Sequence, residues 1–156
     1  MKSLLYASLL FICTAISACV DVGSATFPEP TANYQPKKVY NASIDTLWNA
    51  VEAVLESQRV NIASSDKSDG RITTDYIQGP TQMNLVPGMP DITTRYKYAI
   101  TIKSVDQSQS KLTIICTLES SSESMAWHDV SKDNAERVTG LENWLYERID
   151  KSLPSH

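Results

Sequence analysis

From residue 37 onward the apolar positions of the chain fall into two periods. Residues 37–41 (KKVYN) read as a short opening strand. Ile44, Leu47, Trp48, Val51, Val54 and Leu55 then recur at three- to four-residue spacing. Ser43 stands before them as an N-cap residue, and Asp45 suits the positive end of a helix. The spacing predicts an amphipathic helix of about four turns ending near Gln58. Two short β-branched runs follow, 59–64 (RVNIAS) and 71–77 (RITTDYI), and the DKSDG between them at 66–70 predicts a hairpin. The clearest strand is 93–105. There Tyr96, Tyr98, Ile100 and Ile102 share one face, and Arg95, Lys97, Thr101 and Lys103 share the other, as in an antiparallel sheet with one wet face. DQSQS turns the chain into 111–119, where Leu112, Ile114, Cys116 and Leu118 alternate. A closing helix over 131–153 carries the stripe Val138, Leu141, Leu145 and Ile149, with Asp129 or Ser131 as its cap. The predicted order is β-α-β-β-β-β-α. It makes an α+β domain of two layers, an antiparallel sheet with both helices on one face.

The first 36 residues follow neither period. Lys2 precedes an uncharged apolar run of thirteen residues, 4–16, well short of the roughly 20 needed to cross a bilayer. A run of that length fits the apolar region of a signal peptide. It ends Ile16-Ser17-Ala18-Cys19, which resembles the lipobox of bacterial lipoproteins. The resemblance implies that residues 1–18 are removed and that Cys19 becomes the acylated first residue. Residues 20–36 (VDVGSATFPEPTANYQP) hold three prolines and small polar residues, the composition of a flexible tether. The single domain is then 37–156. Val20, not an aspartate, follows the cysteine, which under the sorting rule of such lipoproteins implies the periplasm-facing leaflet of the outer membrane.

Charge narrows the function. Losing residues 1–18 removes only Lys2 among the charged groups, so the net charge moves from −4 to −5. Such a chain lacks the clustered Lys and Arg that nucleic acid requires, so no nucleic-acid partner is expected. It also shows no polybasic run for anionic lipid. Membrane attachment is therefore expected to come from the acyl chains, which hold stably when two or more contribute. Of the three cysteines, Cys13 leaves with the signal and Cys19 takes the lipid. Cys116 alone remains. It can form neither an intramolecular disulfide nor a CxxC pair, and its alternation with apolar neighbours marks it as core.

No catalytic constellation is legible, so the chain is not expected to be an enzyme. His128-Asp129 are sequence neighbours without a marked nucleophile, and no further ligands stand at metal spacing. Glu119 and Glu123 flank a serine run, with no sign that they converge as a glycosidase pair. Asn41-Ala42-Ser43 fits a glycosylation acceptor, but its position suits a helix cap. No cofactor motif is present. The segment 78–92 (QGPTQMNLVPGMPDI) is long for a link between strands. It holds Met83, Leu85, Val86 and Met89 among prolines, and reads either as a presented docking surface or as a lid folded over the sheet. Trp144, just off the last helix's stripe, either widens the core contact or rims a groove.

The run SIDTLWNAVEAVLESQRVNIASSDKSDGRITTDY, followed by two long strands and a terminal helix, resembles the helix-grip domains of BamC lipoproteins of the outer-membrane β-barrel assembly machinery. The features shared are Trp48 early in the first helix, an apolar residue after Gln58, and the hairpin residues Asp69, Gly70, Ile72 and Thr73. The resemblance covers about 39–153, and its motifs are packing and turn positions. It implies a scaffold or protein-binding module of the envelope. The chain departs from the family pattern in carrying one such domain and a short N-terminal segment. The alternative expectation is a periplasmic carrier of a small hydrophobic ligand or lipid, held between helix and sheet, with Tyr96, Tyr98 and Trp144 lining the cavity.

Overall fold

The computed structural model describes residues 37–122 and 125–153. The signal, tether and Cys19 expectations lie outside the described residues, as does Glu123. Helix α1 (Ile44–Ser57) starts as its sequence predicts, with the Ser43 side chain accepting a hydrogen bond from Thr46 N and Asp45 in the first turn. It buries Leu47, Trp48, Val51, Val54 and Leu55. Its end is a Schellman turn: Arg59 N donates to Glu56 O and Val60 N to Leu55 O, both at 2.9 Å. Arg59 takes φ 56°, where glycine is usual. That turn uses up residues on which a strand was expected, so β2 (Ile62–Asp66) begins three residues late.

The sheet is built on one long ladder. β5 (Ile92–Ser104) and β6 (Ser110–Ser122) pair antiparallel from Ile92↔Ser122 to Ser104↔Ser110. β1 (Lys37–Tyr40) adds to the far edge of β6 at residues 110–113. β3 (Arg71–Thr74) adds to β5 and β2 to β3, so the order is β1-β6-β5-β3-β2. Two further strands were not expected. β4 (Ile77–Gln82) pairs with the start of β5, which reduces the predicted 78–92 connection to a loop of 83–91. β7 (His128–Asp129) pairs with residues 119–120 of β6. Helix α2 (Ala135–Ser152) starts four residues late. The hydroxyl of Ser131 accepts from Leu118 N at 2.9 Å, and Asp129 accepts from Ser131 N at 2.9 Å. Neither caps the helix, whose N-cap Asn134 makes no side-chain bond.

Both helices lie on one face of the antiparallel sheet, as expected. Tyr98, Ile100, Ile102, Leu112, Ile114 and Cys116 form one cluster with the buried residues of α1 and with Leu141, Leu145, Tyr146 and Ile149 of α2. The odd-numbered residues of β5 and β6 face away, exposed or half-exposed.

The free edge of β6 between β1 and β7 is closed by the helix layer. Ile114 N donates to the Tyr146 hydroxyl at 3.0 Å and Cys116 N to Glu142 Oε1 at 2.8 Å. Leu118 N completes the series on Ser131. Buried backbone donors need such partners, since each left bare costs about 1–3 kcal/mol.

Trp48 is 3 % exposed. Trp48→Ala is expected to lower unfolding free energy by about 3–5 kcal/mol, read by urea denaturation; an unchanged midpoint would place the indole outside the core. Gly70 sits at φ 66°, and a β-carbon there would meet the Ile102 carbonyl oxygen at 2.0 Å. Gly88, at φ 86°, has open space around it. Gly70→Ala is therefore expected to destabilise the domain well beyond Gly88→Ala, whose cost is backbone strain alone, about 1–2 kcal/mol.

Candidate functional site

The loop between β4 and β5 is held by its own backbone and short polar side chains. Pro87-Gly88 occupies the centre of a turn closed by Met89 N to Val86 O at 3.1 Å, and glycine supplies the positive φ that a type II turn demands. At its base Asn84 N donates to Asp91 Oδ1 at 2.8 Å, and Asn84 Nδ2 donates to the Pro90 carbonyl. These ties spend no apolar side chain. Met83 is 74 % exposed, Leu85 92 %, Val86 52 % and Met89 56 %. The lid expectation therefore fails, because a lid would bury them.

Two residues that the sequence did not single out extend this surface. Ile92, at the start of β5, is opposite Ser122 and is itself exposed. Met125 leaves the end of β6 through a turn, with Met125 N bonded to Ser122 O, and is 66 % exposed. Strand register thus gathers six apolar side chains at one end of the sheet. Residues 78–90 carry no charge, and every methionine after Met1 lies in this tip. Together they form an exposed apolar surface at one end of the sheet, which makes it the candidate interaction site. Only the register of β5 on β6, which sequence spacing does not set, could have added Ile92 and Met125.

Below the tip, on the open face of the sheet, the Arg95 guanidinium is stacked between two rings. It lies 3.8 Å from the Tyr76 ring centre and 4.1 Å from that of Trp127. Arg95 Nε and Nη2 both reach Glu119 Oε2, at 2.8 and 2.7 Å, and the Tyr76 hydroxyl donates to Glu119 Oε1 at 2.7 Å. Burial pushes the Glu119 carboxyl up, but the Tyr76 and Arg95 hydrogen bonds and the Arg95 and Lys97 charges outweigh it and hold the group below its ordinary range. This carboxylate is committed to binding arginine, which suits a brace joining β5, β6 and the segments that flank the tip. His128 and Asp129 are both exposed on β7, and hydrogen bonds from Ser131 hold the Asp129 carboxyl below its usual value. They do not form a base and its orienting partner.

The remaining candidates lie elsewhere. Trp144 is half-buried against the core with Arg148 over its ring. It sits between Glu142 and Tyr146, level with the middle of β6, and the structure does not bring it to the tip. Cys116 is buried in the core, where burial pushes its thiol well up. Tyr98 has no exposed surface, and its hydroxyl donates to the Leu141 carbonyl at 3.1 Å. Tyr96 packs edge-on against it at 5.7 Å. A cleft of about 570 Å³ opens at the other end of the domain, lined by Asn41, Ser43, Thr46 and Gln107 beside Tyr40 and Leu153. Among the described residues no group of three or more His, Cys, Asp or Glu side chains could hold a metal ion. No helix among them is long and apolar enough to cross a membrane.

Comparison with known proteins gives one family and several similar solved structures. No curated protein matches. A DUF4468 family protein from Bacteroides ovatus ATCC 8483 is similar at 15% identity over 84% of this chain and 85% of its own, with a TM-score of 0.34. A conserved protein from Geobacillus kaustophilus is similar at 10% identity over 74% of this chain and 88% of its own, with a TM-score of 0.37. Likenesses this loose carry no argument. The profile described as "Outer membrane protein assembly factor BamC-like N-terminal domain" matches residues 37–147, nearly the whole folded part. The chain belongs to the family of BamC-like N-terminal domains.

Proposed function

We propose that this chain is a non-enzymatic lipoprotein, acylated at Cys19 and held on the periplasmic side of the outer membrane, whose domain binds other envelope proteins. In this reading it serves as a scaffold in outer-membrane assembly or secretion machinery. The family's description, which names an outer membrane protein assembly factor, supports the setting. The observation that carries the binding role is the tip. Met83, Leu85, Val86 and Met89 are exposed on a loop stiffened by Pro87, Pro90 and the Asn84–Asp91 tie. A preorganised loop loses little entropy on docking. Thioether side chains adapt to a partner's surface, and a few apolar anchors carry most of an interface's energy.

The carrier alternative draws less support. The residues expected to line a cavity fill that space instead: Tyr98 is wholly buried and hydrogen-bonded to α2, with Tyr96 against its edge.

Replacing Met83, Leu85, Val86 and Met89 together by serine is expected to change unfolding free energy by no more than about 1 kcal/mol, as at surface positions. A photo-crosslinker placed at residue 85 in growing cells should form adducts with proteins of the outer-membrane assembly or secretion apparatus. The serine substitutions should remove those adducts when the crosslinker is moved to neighbouring Asn84. Adducts that persist would shift the binding face away from the tip. Cys19→Ser is expected to end incorporation of labelled palmitate into the chain, and a variant that still takes up the label would refute acylation there.

A further inference from the structure

The basic residues scattered along the sequence are gathered by strand pairing. On the open face of the sheet Lys103 of β5 stands directly opposite Lys111 of β6. Lys111 is opposite Val39 and Lys37 is opposite Thr113, so Lys37 of β1 lies on the diagonal from Lys111. Arg71 of β3 is opposite Thr101, on the diagonal from Lys103. Four adjacent strands therefore each place one cation in a single row, about 14 Å across at ordinary strand spacing. Lys37, Arg71 and Lys103 are exposed and Lys111 half-exposed.

Like charges directly opposite one another weaken a sheet. Among the described residues none of the three lysines is ion-paired; the salt bridges join Lys38, Lys67, Arg71 and Arg95 to other acids. Of the nearby acids, Asp66 and Asp69 lie toward Arg71, and Asp106 is engaged by Ser108 N and Gln109 N in the β5–β6 turn. The lysines are left to solvent. Val39, 52 % exposed, and Ile115, 57 % exposed, stand on the same face. The chain also enters the domain at Lys37, a member of the row, whereas the methionine tip lies at the opposite end of β5, roughly 35–40 Å away.

We infer that this row docks the domain on anionic phospholipid headgroups, which stands the sheet on the membrane by its N-terminal end and points the methionine tip away from the bilayer. Lysine ammonium groups on flexible stems are mobile point charges that can meet headgroup phosphates at no fixed spacing. The row also lies where the segment bearing Cys19 joins the domain, so an anchor there would hold it within roughly 25 Å of the bilayer and favour repeated contact with the headgroups. The contact stands whether or not the tip binds a protein, and its test reads lipid composition alone, so it fails separately from the scaffold reading.

The test is flotation of the full chain with vesicles of phosphatidylglycerol in phosphatidylcholine, beside vesicles of phosphatidylcholine alone. An acyl or apolar N-terminus contributes alike to both. The wild type is expected to prefer the anionic vesicles by roughly fivefold per lysine, on the order of a hundredfold for three, and to lose the preference in high salt. Lys37→Gln, Lys103→Gln and Lys111→Gln together should abolish the preference without lowering the melting temperature, since the opposed Lys103 and Lys111 charges are relieved. Lys132→Gln, beside Ser131 and Leu118 toward the other end of β6, should leave it intact. A wild type indifferent to phosphatidylglycerol, or a triple variant that keeps the preference, overturns the inference. Binding to polyglutamate without binding to anionic vesicles also overturns it, and assigns the row to an acidic protein.

Discussion

Three backbone N–H groups, those of Ile114, Cys116 and Leu118, decide how the two layers of the domain meet. Among the described residues β1 pairs with β6 as far as Thr113 and β7 only at Glu119 and Ser120, so no described strand covers the stretch between. Their partners come from α2 and the segment that leads into it. Glu142 and Tyr146 are four residues apart on the helix, a rise of about 6 Å, and they serve strand residues two apart, an advance of about 6.7 Å. The near match allows one helix to serve one strand edge, and it fixes the axial position of α2. A sheet edge that would otherwise recruit another chain is thereby occupied from within.

The long β5–β6 ladder runs on beyond the packed core at its Ile92–Ser122 end, while its other end is covered on the helix face and open on the other. The end toward the β4–β5 loop carries apolar side chains that the core does not use. The end toward the β5–β6 turn carries three lysines that, among the described residues, no acid pairs with. The Arg95 brace lies between them and ties Tyr76, Glu119 and Trp127 into one unit below the tip. A rigid body with chemically distinct ends suits a module that holds two things at a set distance.

Much of this was legible in the sequence where a local period governs. The α1 stripe, its Ser43 cap and the alternation of Tyr98, Ile100 and Ile102 all carry through, because burial on one face leaves a strict pattern. The failures have local causes. Gly79 and Pro80 hid β4, since those residues read as loop although a strand tolerates them where its register shifts, as it does between Gln78 and Thr81. Arg59 read as the start of a strand because a left-handed arginine at a helix end has no sequence signature comparable to glycine. Ser131 read as a cap, but its hydroxyl is claimed by Leu118. The lysine row and the full extent of the tip depend on register between distant strands, which no single segment encodes. Cys19 and its surroundings are legible only as sequence.

A tip made from Met83, Met89 and Met125 also has a redox chemistry. Among the described residues, these thioethers held in solvent are the readiest targets for peroxide, while the thiol of Cys116 is sheltered in the core. Oxidation to the sulfoxide turns a flexible apolar side chain into a polar, chiral one. It would change the three most adaptable groups of the tip without touching the packing between sheet and helices. The surface is therefore one that oxidants can make hydrophilic while the fold beneath it stays as it was.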